Sequence, residues 1–113
     1  MKDIKGEIQT NGKTYSFVFN LNVMEAIQEE YGSLDKWGAL TDGSKGEVNA
    51  KALIFGFTAM MNEAIEIANE EGAKEPLLTL KQVGRLITEY GLTKSAKQMN
   101  DTIVKSTESN EKN

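Results

Sequence analysis

Wound as an α-helix, the segment Leu53-Ile54-Phe55-Gly56-Phe57-Thr58-Ala59-Met60-Met61 is apolar on nearly every side. A helix of that kind is stable in water only when other elements cover several of its faces. It has to sit at the centre of the fold, with the rest of the chain packed around it. Gly56 and Thr58 interrupt the run and Asn62-Glu63 ends it, well short of the roughly 20 apolar residues a membrane span needs. Asn49 is placed to cap this helix, which should run from Ala50 to Glu71, with Leu53, Phe57, Met60 or Met61, Ala64 and Ala68 on one face. Its second half turns acidic through Glu63, Glu66, Glu70 and Glu71, an expected exposed flank, and Gly72 and Pro76 stop it.

The N-terminal cover is a β-hairpin. Asn11-Gly12 suits a type I′ turn, whose two central residues both need positive φ. With that pair at the tip, Ile8 lies opposite Tyr15, Gly6 opposite Phe17 and Ile4 opposite Phe19, all on one face. Phe17 can then cover the backbone that Gly6 leaves bare. The other face, Gln9–Thr14, Glu7–Ser16 and Lys5–Val18, is mostly polar. Two strands alone are marginal, so the apolar face must rest on helices, while the outer edges are open to pairing with another chain.

Four further helices are expected. Asn20 or Asn22 caps one carrying Val23, Met24, Ile27 and Tyr31, and Gly32 ends it. Ser33 caps a short segment, Leu34 to Leu40, that holds Trp37; Thr41 to Gly46 is loop by composition. Thr79 and Gln82 form a capping box for a helix that buries Leu80, Val83, Ile87 and Tyr90 and stops at Gly91. A weaker helix uses Leu92, Ala96, Met99 and Ile103. The helical glycines Gly56 and Gly84 point to close helix–helix approach, and a pairing of the two is one way to achieve it. The expected fold is α+β and mainly helical: the hairpin packed on a bundle of three main helices plus one short helix. Residues 1–105 form a single domain, and 106–113 a polar tail expected to be disordered.

The chemistry available is limited. The chain of 113 residues has neither histidine nor cysteine, which removes Ser-His, Cys-His and thiolate catalysis, and no phosphate-binding loop has the required spacing. Glu25 with Glu29, and Glu63 with Glu66 and Glu70, share helix sides, but solvated faces are the plainer reading; Asp42-Gly43 reads as a turn. A net charge of −4 with Arg85 as the one arginine argues against nucleic acid. No catalytic, cofactor or metal site is expected. The side chains offered for partner binding are Trp37, a hot-spot residue type or a core plug; Phe55, off the main apolar stripe, either a buried second layer under the hairpin or an exposed contact; and Met60 and Met61, core fillers or adaptable contacts, of which, being adjacent, one is the better surface candidate.

The order of these signals carries a resemblance. A hairpin leads into Phe19-Asn20-Leu21-Asn22-Val23-Met24-Glu25-Ala26-Ile27 and Glu30-Tyr31-Gly32-Ser33-Leu34; the apolar helix follows, then Leu78-Thr79-Leu80-Lys81-Gln82-Val83-Gly84-Arg85-Leu86-Ile87. Over residues 15–91 this resembles the tail assembly chaperones of long-tailed bacteriophages, prophages and gene-transfer agents. The resemblance implies a non-enzymatic protein of the bacterial host cytoplasm that binds and solubilises the tape-measure protein, helps to recruit tail-tube subunits and is absent from the mature virion. Many such proteins are made in two forms, the longer by a programmed frameshift; the closing Glu111-Lys112-Asn113 is compatible with that and leaves it open for this chain. Homo-oligomerisation is a further expectation, from the apolar helix. The alternative is a structural adaptor, a connector or minor tail component retained in the particle.

Overall fold

The computed structural model describes residues 4–111, with side chains to residue 107. A hairpin of β1 (Lys5–Thr10) and β2 (Lys13–Val18) precedes five helices: α1 (Leu21–Tyr31), α2 (Leu34–Thr41), α3 (Ala50–Glu70), α4 (Leu80–Tyr90) and α5 (Leu92–Glu111). The fold is α+β and mainly helical, as the sequence predicts. The apolar helix is α3, and β2, α1, α2 and α4 all pack on it. No helix among the described residues is long and apolar enough to cross a membrane.

The hairpin has the expected register, with Ile8 paired to Tyr15 and Gly6 to Phe17. At its tip Asn11 and Gly12 both take positive φ, 54° and 74°, as a type I′ turn requires. Phe17 is fully buried and meets Phe57 of α3 edge-on, with ring centroids 5.1 Å apart. Its ring also covers Gly6: a Cβ there would collide with Phe17 and lie 2.6 Å from Thr102 Oγ1 of α5. The bare backbone thus admits an aromatic ring and a helix at one point. Val18, on the face expected to be polar, is buried where β2 leads towards α1.

Caps set the helix boundaries. The side chain of Asn20, not Asn22, accepts the Val23 N–H at 3.1 Å; Ser33, Asn49 and Thr79 do the same for α2, α3 and α4. The capping box at α4 is complete, with the Thr79 N–H donating to Gln82 Oε1 at 2.8 Å. Gly32 and Gly91 close α1 and α4 with positive φ. Asn20 and Asn22 each donate through Nδ2 to Glu63 Oε2, at 2.7 and 3.1 Å, tying the start of α1 to α3. Glu63 is therefore a half-buried anchor, while Glu66, Glu70 and Glu71 are exposed as expected.

The two helical glycines do not face one another. Gly56 lies under Trp37, whose ring occupies the space a Cβ would take, with Cε2 at 3.0 Å. The indole N–H donates to the Ala52 carbonyl one turn back, at 2.9 Å. Gly84 instead faces Ile54, whose Cδ1 stands 3.4 Å from an added Cβ. Met60 and Met61 are both buried as core fillers, and neither is the surface contact that their adjacency suggests: α3 is enclosed on both sides at that level.

Along α5 the contact is governed by size, not apolarity. α5 buries Ser95, Ala96, Met99, Thr102 and Ser106, a stripe of mostly small side chains that packs on α4 and the hairpin. The helix bounds extend to Glu111, past residue 106 where the polar tail is expected to begin; Lys112 and Asn113 lie outside the described residues. Leu92, expected in the core, is exposed. So is Leu80, at 54%, in the first turn of α4.

The glycines give a paired test. Gly56→Ala should destabilise the fold by about 1–3 kcal/mol, because the indole cannot move without losing its hydrogen bond. Gly84→Ala should be neutral or stabilise by up to about 1 kcal/mol, since the space exists and alanine favours helix. Urea unfolding of both variants measures the difference; equal effects would contradict it.

Candidate partner-binding groove

α3 and α4 run antiparallel, with Asn62 beside Leu78 and Ile54 beside Gly84. The spacing is held by asparagines two turns apart on α3. Asn62 Nδ2 donates to the Leu78 carbonyl at 3.0 Å and Oδ1 accepts the Leu78 N–H at 2.8 Å. Asn69 makes the same two-sided clamp on the Glu75 backbone, at 3.0 and 2.9 Å. These bonds satisfy a connecting segment that has no ladder or helix of its own. They deliver the chain to Thr79, where α4 is capped.

Past the clamp the helices leave an open groove of roughly 620 Å³, lined by Glu30, Lys51, Ile54, Phe55, Leu80, Lys81 and Gly84. Its apolar floor follows from helical spacing. Phe55 lies about 160° around α3 from Phe57, which faces the hairpin, so Phe55 is turned out of the main core. Tyr31 of α1 holds it edge-on, with centroids 5.6 Å apart and planes at 71°. On α4, Leu80 leans over the groove and Gly84, one turn on, adds no side chain to fill it.

Of the residues offered for partner binding, Phe55 alone reaches this surface. Trp37, Met60 and Met61 are at most 1% exposed and belong to the core. The alternation of apolar and polar residues does not distinguish those cases, because α3 is apolar all round at that level. Leu80 and Gly84 were not singled out as contact residues, nor Asn62 and Asn69 as clamps. The asparagine pair at two-turn spacing, in a helix half whose other polar residues are glutamates, is the one sequence signal that marks the clamp.

A second cleft, of about 570 Å³, lies between the hairpin tip and α4 and is lined by Asn11, Tyr15, Leu78, Gln82, Arg85, Leu86, Thr88 and Glu89. It is more polar, and Lys13 approaches the Tyr15 ring at 5.3 Å nearby. Among the described residues, no cluster of histidine, cysteine, aspartate or glutamate has the arrangement of a metal site. Asp42 closes a turn as expected; accepting the Ser44 backbone N–H at 2.8 Å lowers its carboxyl pKa.

Burial raises the Tyr31 phenol above the ordinary tyrosine pKa, and the Glu30 carboxylate adds to the shift. The phenol oxygen is buried with no hydrogen-bond partner among the described residues. The folded state thus holds the proton more tightly than the unfolded chain. Its contribution is complete below the unfolded pKa of about 10 and is lost as pH rises through the folded value.

No protein family, curated protein or solved structure matches this chain.

Two outcomes follow from this geometry. Asn62→Ala should cost about 1–3 kcal/mol, because it leaves both backbone groups of Leu78 unpaired, and hydrogen exchange should quicken at residues 78–80. Unchanged exchange there would remove Asn62 from its clamping role. Tyr31→Phe should flatten the loss of stability above about pH 10. Urea unfolding across that range checks it, and a slope equal to that of the parent chain would contradict it.

Proposed function

We propose that this chain is a non-enzymatic tail assembly chaperone of a long-tailed bacteriophage or prophage, acting in the host cytoplasm. In this role it binds helices of the tape-measure protein, keeps them soluble and helps to bring tail-tube subunits to them. The observation that carries the reading is the α3–α4 groove, which supports an apolar helix-in-groove mode of binding. Leu80 is exposed there, and Phe55 is half-buried, packed against the edge of the core with part of its surface left to the groove. An aromatic side chain held by a neighbour loses little freedom on binding, which suits an anchor. The order of hairpin, capped helices and apolar helix is the second support, through the family resemblance.

Co-expression with the tape-measure protein of the same phage, followed by affinity purification and sizing, tests the reading. The expected result is a soluble complex of defined stoichiometry, with no chain in purified particles. An insoluble tape-measure protein with nothing co-purified would contradict it. Recovery of the chain from finished virions would favour the structural adaptor.

A further inference from the structure

The groove differs in charge from the molecule that carries it. The chain has a net charge of −4, yet Lys51 and Lys81 line the groove against the single carboxylate of Glu30. Lys51 stands one turn before Phe55 on α3, and Lys81 follows Leu80 on α4, so both helices contribute an ammonium group beside the apolar floor. Neither lysine forms an ion pair among the described residues. Glu30 enters from α1, next to Tyr31. Exposed acids lie elsewhere, at Glu66, Glu70, Glu71 and Glu75.

We propose that the groove receives an amphipathic helix whose apolar stripe is flanked by carboxylates. The stripe packs on Ile54, Phe55 and Leu80, and the missing side chain at Gly84 lets the incoming helix approach closely. Flanking carboxylates reach Lys51 and Lys81; a helix flanked by lysines meets two like charges there. Local pairing opposes the long-range field here, because a net negative chain attracts basic partners at a distance. The seated helix is selected by the rim. That a tape-measure helix is the natural occupant rests on the chaperone reading; the groove and its charge preference do not.

The test uses the full chain and two synthetic helices with the same leucine stripe, one flanked by glutamates and one by lysines. Binding is measured by fluorescence anisotropy at low and high salt. The glutamate-flanked helix should bind about fivefold more tightly at low salt, as expected of two exposed charge pairs, and the margin should vanish at high salt. Lys51→Glu with Lys81→Glu should reverse the preference, and Leu80→Glu should abolish binding of both helices. Circular dichroism should show Leu80→Glu folded, because that side chain is already exposed. Equal or tighter binding of the lysine-flanked helix, or indifference to either change, would overturn the proposal. Self-association of the chain that these helices displace would also overturn it, by giving the groove to a second copy. The same variants separate this inference from the function proposed above. If Leu80→Glu still retains the tape-measure protein, the groove fails and the chaperone stands. If the helices bind as expected but the tape-measure protein does not, the chaperone fails and the groove stands.

Discussion

The fold depends on enclosing a helix that is apolar on nearly every side from Leu53 to Met61. Each neighbour of α3 meets a different face with a different device. β2 brings Phe17 edge-on to Phe57. α2 brings the Trp37 ring against Gly56, with its N–H donating to the Ala52 carbonyl. α1 is tied by Asn20 and Asn22 to Glu63. The Trp37 contact is the least replaceable, because it joins close approach to a buried hydrogen bond and neither survives without the other. α4 covers the remaining side incompletely, and the uncovered strip is the groove.

This arrangement explains why core and surface candidates could not be separated from the sequence. Elements whose boundaries rest on local chemistry were legible: the positive-φ turn at Asn11-Gly12, the caps Ser33, Asn49 and Thr79, and the stops at Gly32 and Gly91. Features that depend on which neighbour arrives were not. Gly56 and Gly84 look alike in sequence, yet one is filled by an indole and the other faces the end of an isoleucine. Met60 and Met61 share a buried level because cover comes from two sides at once. Along α5, Ser95, Thr102 and Ser106 are buried for their small size, which a reading based on apolar spacing treats as exposure.

The candidate site was half legible for the same reason. Phe55 stood out because it lies off the main stripe. Its partners did not, since Leu80 fits the apolar period of α4 and by that measure belongs inside. Leu80 lies in the first turn of α4, just after the segment 71–79 that the asparagine clamps hold to α3, and it is exposed there. Polar side chains in a helix thus position an apolar surface on its neighbour. The link from sequence to binding runs through backbone hydrogen bonds of a segment with no regular structure.

On the proposed function, an unfinished enclosure of α3 is what a chaperone for helices requires: a stable core with one strip reserved for a partner. Hydrogen–deuterium exchange on the chain, alone and with the tape-measure protein, tests that idea most directly. Slower exchange confined to residues 51–55 and 77–84 would place the partner helix on the reserved strip. Protection centred on the hairpin or on α2, with those segments unchanged, would show that the partner uses another surface and that the gap beside Phe55 has no binding role.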